Sequence, residues 1–221
     1  MTAVQPNISQ VSLESQNYPY LLKQIPDPPK HFYYRGQYDR FKWAKGRFLA
    51  VVGSRRPSAY GCKIAHAWAS QLAQQGIILV SGLALGIDTI VHQEALKAGA
   101  PTIAVLGCAI DYIYPSENRK LYWQIANQGL IISEFGRGTR VPKSQFVTRN
   151  RIISGLCKAV LLIEGANYSG TLITVRYGLE QGREILVLPG PIDSATSAAP
   201  LIMLKQGAIP VSSVREILSA V

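Results

Sequence analysis

Residues 48–80 read F-L-A-V-V-G-S-R-R-P-S-A-Y-G-C-K-I-A-H-A-W-A-S-Q-L-A-Q-Q-G-I-I-L-V, two apolar runs on either side of a helical segment. Phe48 to Val52 is a short apolar run closed by a glycine, the pattern of a strand buried on both faces. Gly53 to Ser58 is a loop. Tyr60 to Gln75 is a helix that stops at Gly76, and Ile77 to Val80 is a second apolar run. Strand, helix and strand in this order make a βαβ unit, whose two strands run parallel.

The unit repeats along the chain. Strand Ile77 to Val80 runs into Ser81-Gly82-Leu83-Ala84-Leu85-Gly86, and a helix follows to Ala98. Strand Thr102 to Leu106 precedes a loop through Tyr114-Pro115 and a helix from Ser116 to Asn127, stopped at Gly129. Leu130 to Ile132, Ala159 to Ile163 and Ile185 to Leu188 are further strands, and a helix begins near Gly170-Thr171. The expected architecture is α/β, an extended Rossmann-like fold with a mostly parallel sheet and helices on both faces.

Upstream of residue 47 the pattern is irregular. Residues 1–16 are polar and without period, and read as a disordered leader. Residues 17–46 read as an arm packed on the core: three prolines in Pro26-Asp27-Pro28-Pro29 forbid a regular helix, and Phe32-Tyr33-Tyr34 is strand-like. Residues 47–221 are then the Rossmann-like domain.

Charge narrows the function. The chain of 221 residues carries a formal net charge of +10, a large excess that suits a polyanionic partner. Between Ser116 and Lys158 eight Lys/Arg stand against Glu117 and Glu134, a net of +6. The alternative is a solvated basic face kept for solubility. Cys62, Cys108 and Cys157 are far apart, with no C-x-x-C and no histidine at metal-ligand spacing, which points to a reduced, cytosolic protein without a zinc site. No apolar run reaches the roughly 20 residues needed to span a bilayer, and the first residues lack the apolar core of a signal peptide.

In a parallel sheet, ligands bind beyond the carboxyl ends of the strands, where loops meet helix N-termini. Phe146–Arg151, F-V-T-R-N-R, places an aromatic ring beside two arginines and an asparagine at such an edge. The alternatives are a core aromatic for Phe146 and internal ion pairing for Arg149 and Arg151. Three other loops have anion-binding chemistry: Gly53-Ser54-Arg55 leading to a helix, Ser81 to Asp88, and Tyr168-Ser169-Gly170-Thr171. Asp88 and His92 read as a helix cap and its neighbour rather than a catalytic pair. The first loop is not G-x-G-x-x-G, and there is no Walker lysine, nucleophile elbow or carboxylate cluster for Mg²⁺. Glu164 is the best lone acid/base candidate, but a strand-end carboxylate bonded to nearby backbone is the plainer role. No catalytic residue, metal or cofactor is therefore assigned.

Seven motifs occur in one order: G-S-R-x-x-S-x-Y-G (53–61), S-G-L-A-x-G-I-D-x-x-x-H (81–92), T-I-A-V-L-G-C-x-x-D-x-x-Y-P-x-x-N (102–118), S-E-F (133–135), F-x-x-R-N-R-I-I-S-G-L (146–156), S-G-T-L-I-T (169–174) and G-R-E-I-x-x-x-P-G (182–190). Together they resemble the DprA/Smf family of DNA-processing proteins, over residues 17–209. The resemblance implies an extended Rossmann fold without established catalysis, binding of single-stranded DNA, homodimers, and transfer of the strand to the recombinase RecA. Carried over to matching positions, the DNA groove comprises Gly53, Ser54, Arg55, Lys143 and Phe146, with Arg149, Asn150, Ser169, Gly170 and Thr171 nearby. Leu204 and Ile209 fall in the region of the family's dimer contacts. Two departures stand out: Val147-Thr148 lies where F-P-x-R-N-R has its proline, and Ser194 to Pro200 replaces a glycine-rich turn. The alternative reading is a nucleotide-binding sensor or a phosphoribohydrolase-type enzyme using Glu164, but the motif P-G-G-x-G-T-x-x-E of the latter is absent.

Overall fold

The computed structural model describes residues 6–221. The strands are β1 (Ile8–Ser12), β2 (His31–Gly36), β3 (Phe48–Val52), β4 (Ile78–Ser81), β5 (Thr102–Leu106), β6 (Leu130–Ser133), β7 (Ala159–Leu162), β8 (Glu184–Val187) and β9 (Ile209–Pro210). The α-helices are α1 (Tyr20–Lys23), α2 (Ala59–Gln74), α3 (Ile87–Lys97), α4 (Arg119–Gln128), α5 (Gln145–Thr148), α6 (Asn150–Gly155), α7 (Gly170–Glu180), α8 (Ala198–Lys205) and α9 (Val214–Ser219).

All nine strands join in one sheet of order β1-β2-β6-β5-β4-β3-β7-β8-β9. From β6 to β9 every pairing is parallel; β2 pairs antiparallel with both β6 and β1. The chain builds outward from β3 through β6, then returns to lay β7 on the other side of β3. The loops after β3 and β7 therefore diverge and leave a crevice between them, the place where open α/β sheets hold ligands.

Helices cover both faces because each central strand is apolar on both. In β3, Leu49 and Val51 pack toward α2, α3 and α9, whereas Ala50 and Val52 face the side of α6, α7 and α8. Ala104, Leu106 and Ile131 meet Leu121, Tyr122 and Ile125 of α4 in a third cluster. Every residue of β3 and β5 is buried, as expected for strands sandwiched between helix layers.

The N-terminal region needs a correction. The expectation of a disordered leader over residues 1–16 fails at Ile8–Ser12, which forms the edge strand β1 in register with Arg35 to His31; residues 1–5 lie outside the described residues. Only Val11 of β1 is buried, so its sequence lacks the apolar alternation that marks a strand. Residues 17–46 place β2 beside β6 and pack Tyr18, Phe32, Tyr38 and Phe41 into the main core. The Tyr18 hydroxyl donates to the Pro29 carbonyl at 2.8 Å, and Tyr38 donates to Asn17 at 2.6 Å, so both buried phenols are satisfied.

Candidate nucleic-acid interface

A cleft of about 400 Å³ opens at the crevice between the β3 and β7 loops. It is lined by Gly53, Ser54 and Arg55 from the first loop, Phe146, Arg149 and Asn150 from α5 and the α5–α6 junction, and Ser169, Gly170 and Thr171 from the start of α7. The structure thus gathers nine of the ten expected groove residues around one cavity. The tenth, Lys143, lines an adjoining groove of about 840 Å³. Arg55 and Phe146 border both, forming the ridge between them.

The first loop is held from within. Ser54 accepts the Arg56 N–H on its hydroxyl at 3.0 Å and the Ile87 N–H on its carbonyl at 3.1 Å, leaving the Arg55 side chain exposed. The N-terminus of α2 behind the loop is already occupied. Glu164, which is 3% exposed, accepts the Ser58 N–H at 2.9 Å and also the Ser58 hydroxyl. Glu164 therefore has the strand-end, backbone-bonded role, and the protein's own carboxylate already stands at the N-terminus of α2.

The second loop is also filled by the protein's own carboxylate. Asp88 accepts the Gly82 N–H at 3.1 Å and the Ala84 N–H at 3.2 Å, closing the Ser81–Asp88 turn on itself. Burial pushes its carboxyl pKa upward, opposed by the nearby Arg149 charge and these N–H bonds. His92 lies elsewhere, with Nδ1 on Thr102 at 2.8 Å. Of the three loops expected to bind anions, the start of α7 is the one with no carboxylate bonded to it: Gly170 is exposed, Ser169 half-buried and Thr171 buried. There Ser169 and Thr171 bond to each other through their hydroxyls, and α7 begins at Gly170.

The two arginines of F-V-T-R-N-R point inward. Arg149 is 6% exposed and donates through Nη1 to the carbonyls of Gly82 (2.9 Å) and Val105, and through Nε to Asn150 Oδ1 (3.1 Å). Burial lowers its pKa to about 10, so it stays charged at neutral pH while bracing three segments beneath the cleft. The guanidinium is committed to carbonyls, while the residue borders the cavity. Arg151 bridges Glu134, at 2.7 Å to each oxygen, and Asp27 at 2.9 Å, tying the arm to the core. The internal-pairing alternative holds for Arg151.

The accessible positive charge comes from flanking residues instead. Arg55, Arg140 and Lys143 are exposed and make no ion pair among the described residues. Phe146 is half-buried; its ring stands 5.2 Å from Tyr114 at 64°, edge to face, leaving part of it accessible. Sequence reasoning did not single out Tyr112 and named Tyr114 and Tyr168 only as parts of their loops; the three are 60%, 48% and 97% exposed. Solvent-facing aromatics in loops carry no periodic signal. Leu204 packs partly against the protein's own core, whereas Ile209 on edge strand β9 is exposed.

Fold and cleft together define a doubly wound α/β protein whose ligand edge combines unpaired cations, an accessible aromatic and a helix N-terminus. The chain belongs to the family described as DNA recombination-mediator protein A, whose model matches residues 9–221. It is 37% identical over 210 residues to the DNA processing protein DprA of Bacillus subtilis, covering 95% of this chain and 70% of that one. Protein Smf of Synechocystis is 38% identical, with 98% of this chain matched to 54% of the relative. The chain thus spans about half to seven-tenths of these relatives' length. Among solved structures it is similar to DprA of Streptococcus pneumoniae (TM-score 0.90, 38% identity, 96% of this chain and 74% of that one). It is also similar to DprA of Helicobacter pylori (TM-score 0.86, 28% identity, 98% and 97%), a structure described in terms of that protein's single-stranded DNA binding mode. A molybdenum cofactor carrier protein from Chlamydomonas reinhardtii shares the fold at TM-score 0.54 and 17% identity. Among the described residues no helix is long and apolar enough to cross a membrane.

Proposed function

We propose that this chain binds single-stranded DNA along the ligand edge, with Arg55 and Lys143 neutralising phosphates, Phe146 stacking on an unpaired base, and the α7 N-terminus at Ser169 to Thr171 holding phosphate oxygens. The observation that carries the reading is that Arg55 and Phe146 stand together on the ridge between two adjoining cavities, a cation next to an accessible ring. A single strand offers both partners at once, because its bases are free to leave the stack while its backbone remains charged. Stacking needs no particular base, so binding is sequence-tolerant. Arg149 and Asn150 act from below as braces.

The finer reading is that the protein is not an enzyme but hands the strand to the recombinase RecA as a homodimer, with exposed Ile209 and its β9 edge in the contact between copies. Membership of the family supports this. The alternative of a nucleotide-cleaving enzyme has less support, because the carboxylate it would use, Glu164, is engaged by Ser58.

The test is fluorescence anisotropy with labelled oligothymidylate, competed by duplex of equal length at two salt concentrations. Salt-sensitive binding that prefers the single strand is expected; equal affinity for duplex overturns the reading. Light scattering of the protein with and without Ile209→Asp tests the dimer, and RecA filament assembly on coated DNA tests the hand-over.

A further inference from the structure

The groove of about 840 Å³ beside the ridge holds Lys143, which the strand-binding reading already uses, together with Tyr112 and Arg140, which it does not. One wall is the segment Cys108–Tyr114 that follows β5, the other the segment Gly138–Lys143 that precedes α5, and Arg55, Phe146 and Val147 close the end nearest the first cleft. Its apolar surfaces are Ala109, Val141, Val147 and the rings of Tyr112, Tyr114 and Phe146. Its free cations are Arg55, Arg140 and Lys143. The carboxylate in the groove, Asp111, is turned to the opposite wall, accepting the Gly138 N–H at 3.1 Å and lying 3.7 Å from Arg137 Nε. This contact staples the two walls together and partly neutralises the acid.

Tyr112 is the unusual residue. The residue is 60% exposed, yet its backbone is fixed: the N–H donates to the Ala109 carbonyl at 2.9 Å, and the carbonyl accepts the Cys108 thiol at 3.2 Å. A large ring held at the lip of an apolar groove on a pinned backbone loses little freedom when another flat ring stacks on it.

We infer that this groove is a second nucleotide subsite, in which the strand leaving Phe146 stacks its next base on Tyr112 while Arg140 takes the adjoining phosphate. Two observations select this occupant over an apolar peptide or a lipid: the cations around an apolar floor match a chain of bases strung on phosphates, and Arg55 and Phe146 make the groove continuous with the first cleft. The volume falls within the roughly 300–1,000 Å³ of clefts that hold drug-sized ligands, enough for a nucleotide. The inference rests on the strand-binding reading and sets the length of strand one protomer covers.

A series of oligothymidylates of increasing length, titrated against the wild type and three variants, separates the two ideas. For the wild type, affinity should rise again after the first cleft is filled. Tyr112→Ala should abolish that second rise, weakening long oligonucleotides about tenfold and leaving the shortest ones within twofold. Arg140→Ala should lower the salt slope on long oligonucleotides by about 0.7. Phe146→Ala should weaken every length. Should Tyr112→Ala match the wild type at all lengths, or weaken all lengths equally, the second subsite is wrong while the first cleft stands if Phe146→Ala still binds poorly. If Phe146→Ala also binds like the wild type, the strand-binding reading falls with it. Because Tyr112 is exposed, the variant should keep the wild-type thermal transition, and loss of that transition would place Tyr112 in the fold and overturn the subsite.

Discussion

Glu164 at the end of β7 accepts the backbone N–H of Ser58 at 2.9 Å, joining residues 106 positions apart and placing a carboxylate on the N-terminus of α2. The contact locks β7 to the loop that follows β3, the two loops that frame the cleft. It also explains Gly61, where an added Cβ would run into the Glu164 carboxyl group. Replacing Glu164 with alanine should cost about 2 kcal/mol, since a charged hydrogen-bond acceptor is lost from a buried helix terminus. Urea unfolding would show it as a lower midpoint; an unchanged midpoint would mean that solvent replaces the carboxylate without cost.

Arg149 should prove more sensitive still. Its guanidinium meets the carbonyls of Gly82 and Val105 and the side chain of Asn150, so one residue braces the ends of β4 and β5 and the start of α6. Arg149→Met keeps much of the volume but strands those carbonyls and removes the charge facing buried Asp88. A loss of about 3–5 kcal/mol is expected, with any drop in DNA affinity following from unfolding. A stable variant that binds DNA poorly would instead place Arg149 in direct contact with phosphate.

Arg55 and Lys143 should behave in the opposite way, because both are exposed and unpaired. Alanine at either position should leave the unfolding midpoint within about 0.5 kcal/mol of the wild type. It should reduce the slope of log affinity against log salt by about 0.7, the value for one lost phosphate contact on a single strand. Wild-type slopes in both variants would remove these residues from the groove.

The contrast between these arginines shows what could be read from the chain. The strands from β3 to β8 were legible because each is a short, mainly apolar run bounded by turn residues, and burial on both faces imposes that composition; Thr102–Leu106 coincides residue for residue with β5. The cleft was legible because its loops sit where the topology must place them. Edge strand β1 was not, since only Val11 of its five residues is buried and Ile8 is only partly covered. Nor was the inward turn of Arg149, which depends on carbonyls 67 and 44 residues away. A basic motif looks the same in sequence whether its guanidinium faces phosphate or the protein's own backbone.

Acid sensitivity should trace to His92. The Thr102 hydroxyl donates to Leu79 at 2.7 Å, so it can only accept from His92, which fixes the neutral tautomer with hydrogen on Nδ1. Nε2 is buried without a partner among the described residues, and burial drives the pKa from 6.5 to about 3. A depressed folded-state pKa means that the unfolded chain takes up a proton first as pH falls. Stability is therefore full above pH 6.5 and lost between 6.5 and about 3. At about pH 5 the loss should reach about 2 kcal/mol, at about 1.4 kcal/mol per unit. His92→Phe should unfold more easily at neutral pH but show a smaller drop between pH 7 and 5, and an undiminished drop would assign the sensitivity to other groups.

Gly107 tests whether Phe146 is positioned from beneath. A Cβ at Gly107 would lie 2.6 Å from Phe146 Cα and 2.9 Å from its Cδ1, so Gly107→Ala must push α5 outward from the end of β5. Little else is disturbed, because the new methyl meets Phe146 alone among its nearest atoms. Phe146→Ala should weaken single-strand binding about tenfold without changing the salt slope, since a stacked base releases no counterion. Gly107→Ala should reproduce part of that loss, again at constant slope, although it removes no group that touches DNA. A double variant no weaker than Phe146→Ala alone would show that both act through the same ring. Independent, additive losses would mean that Gly107 shapes the groove by another route.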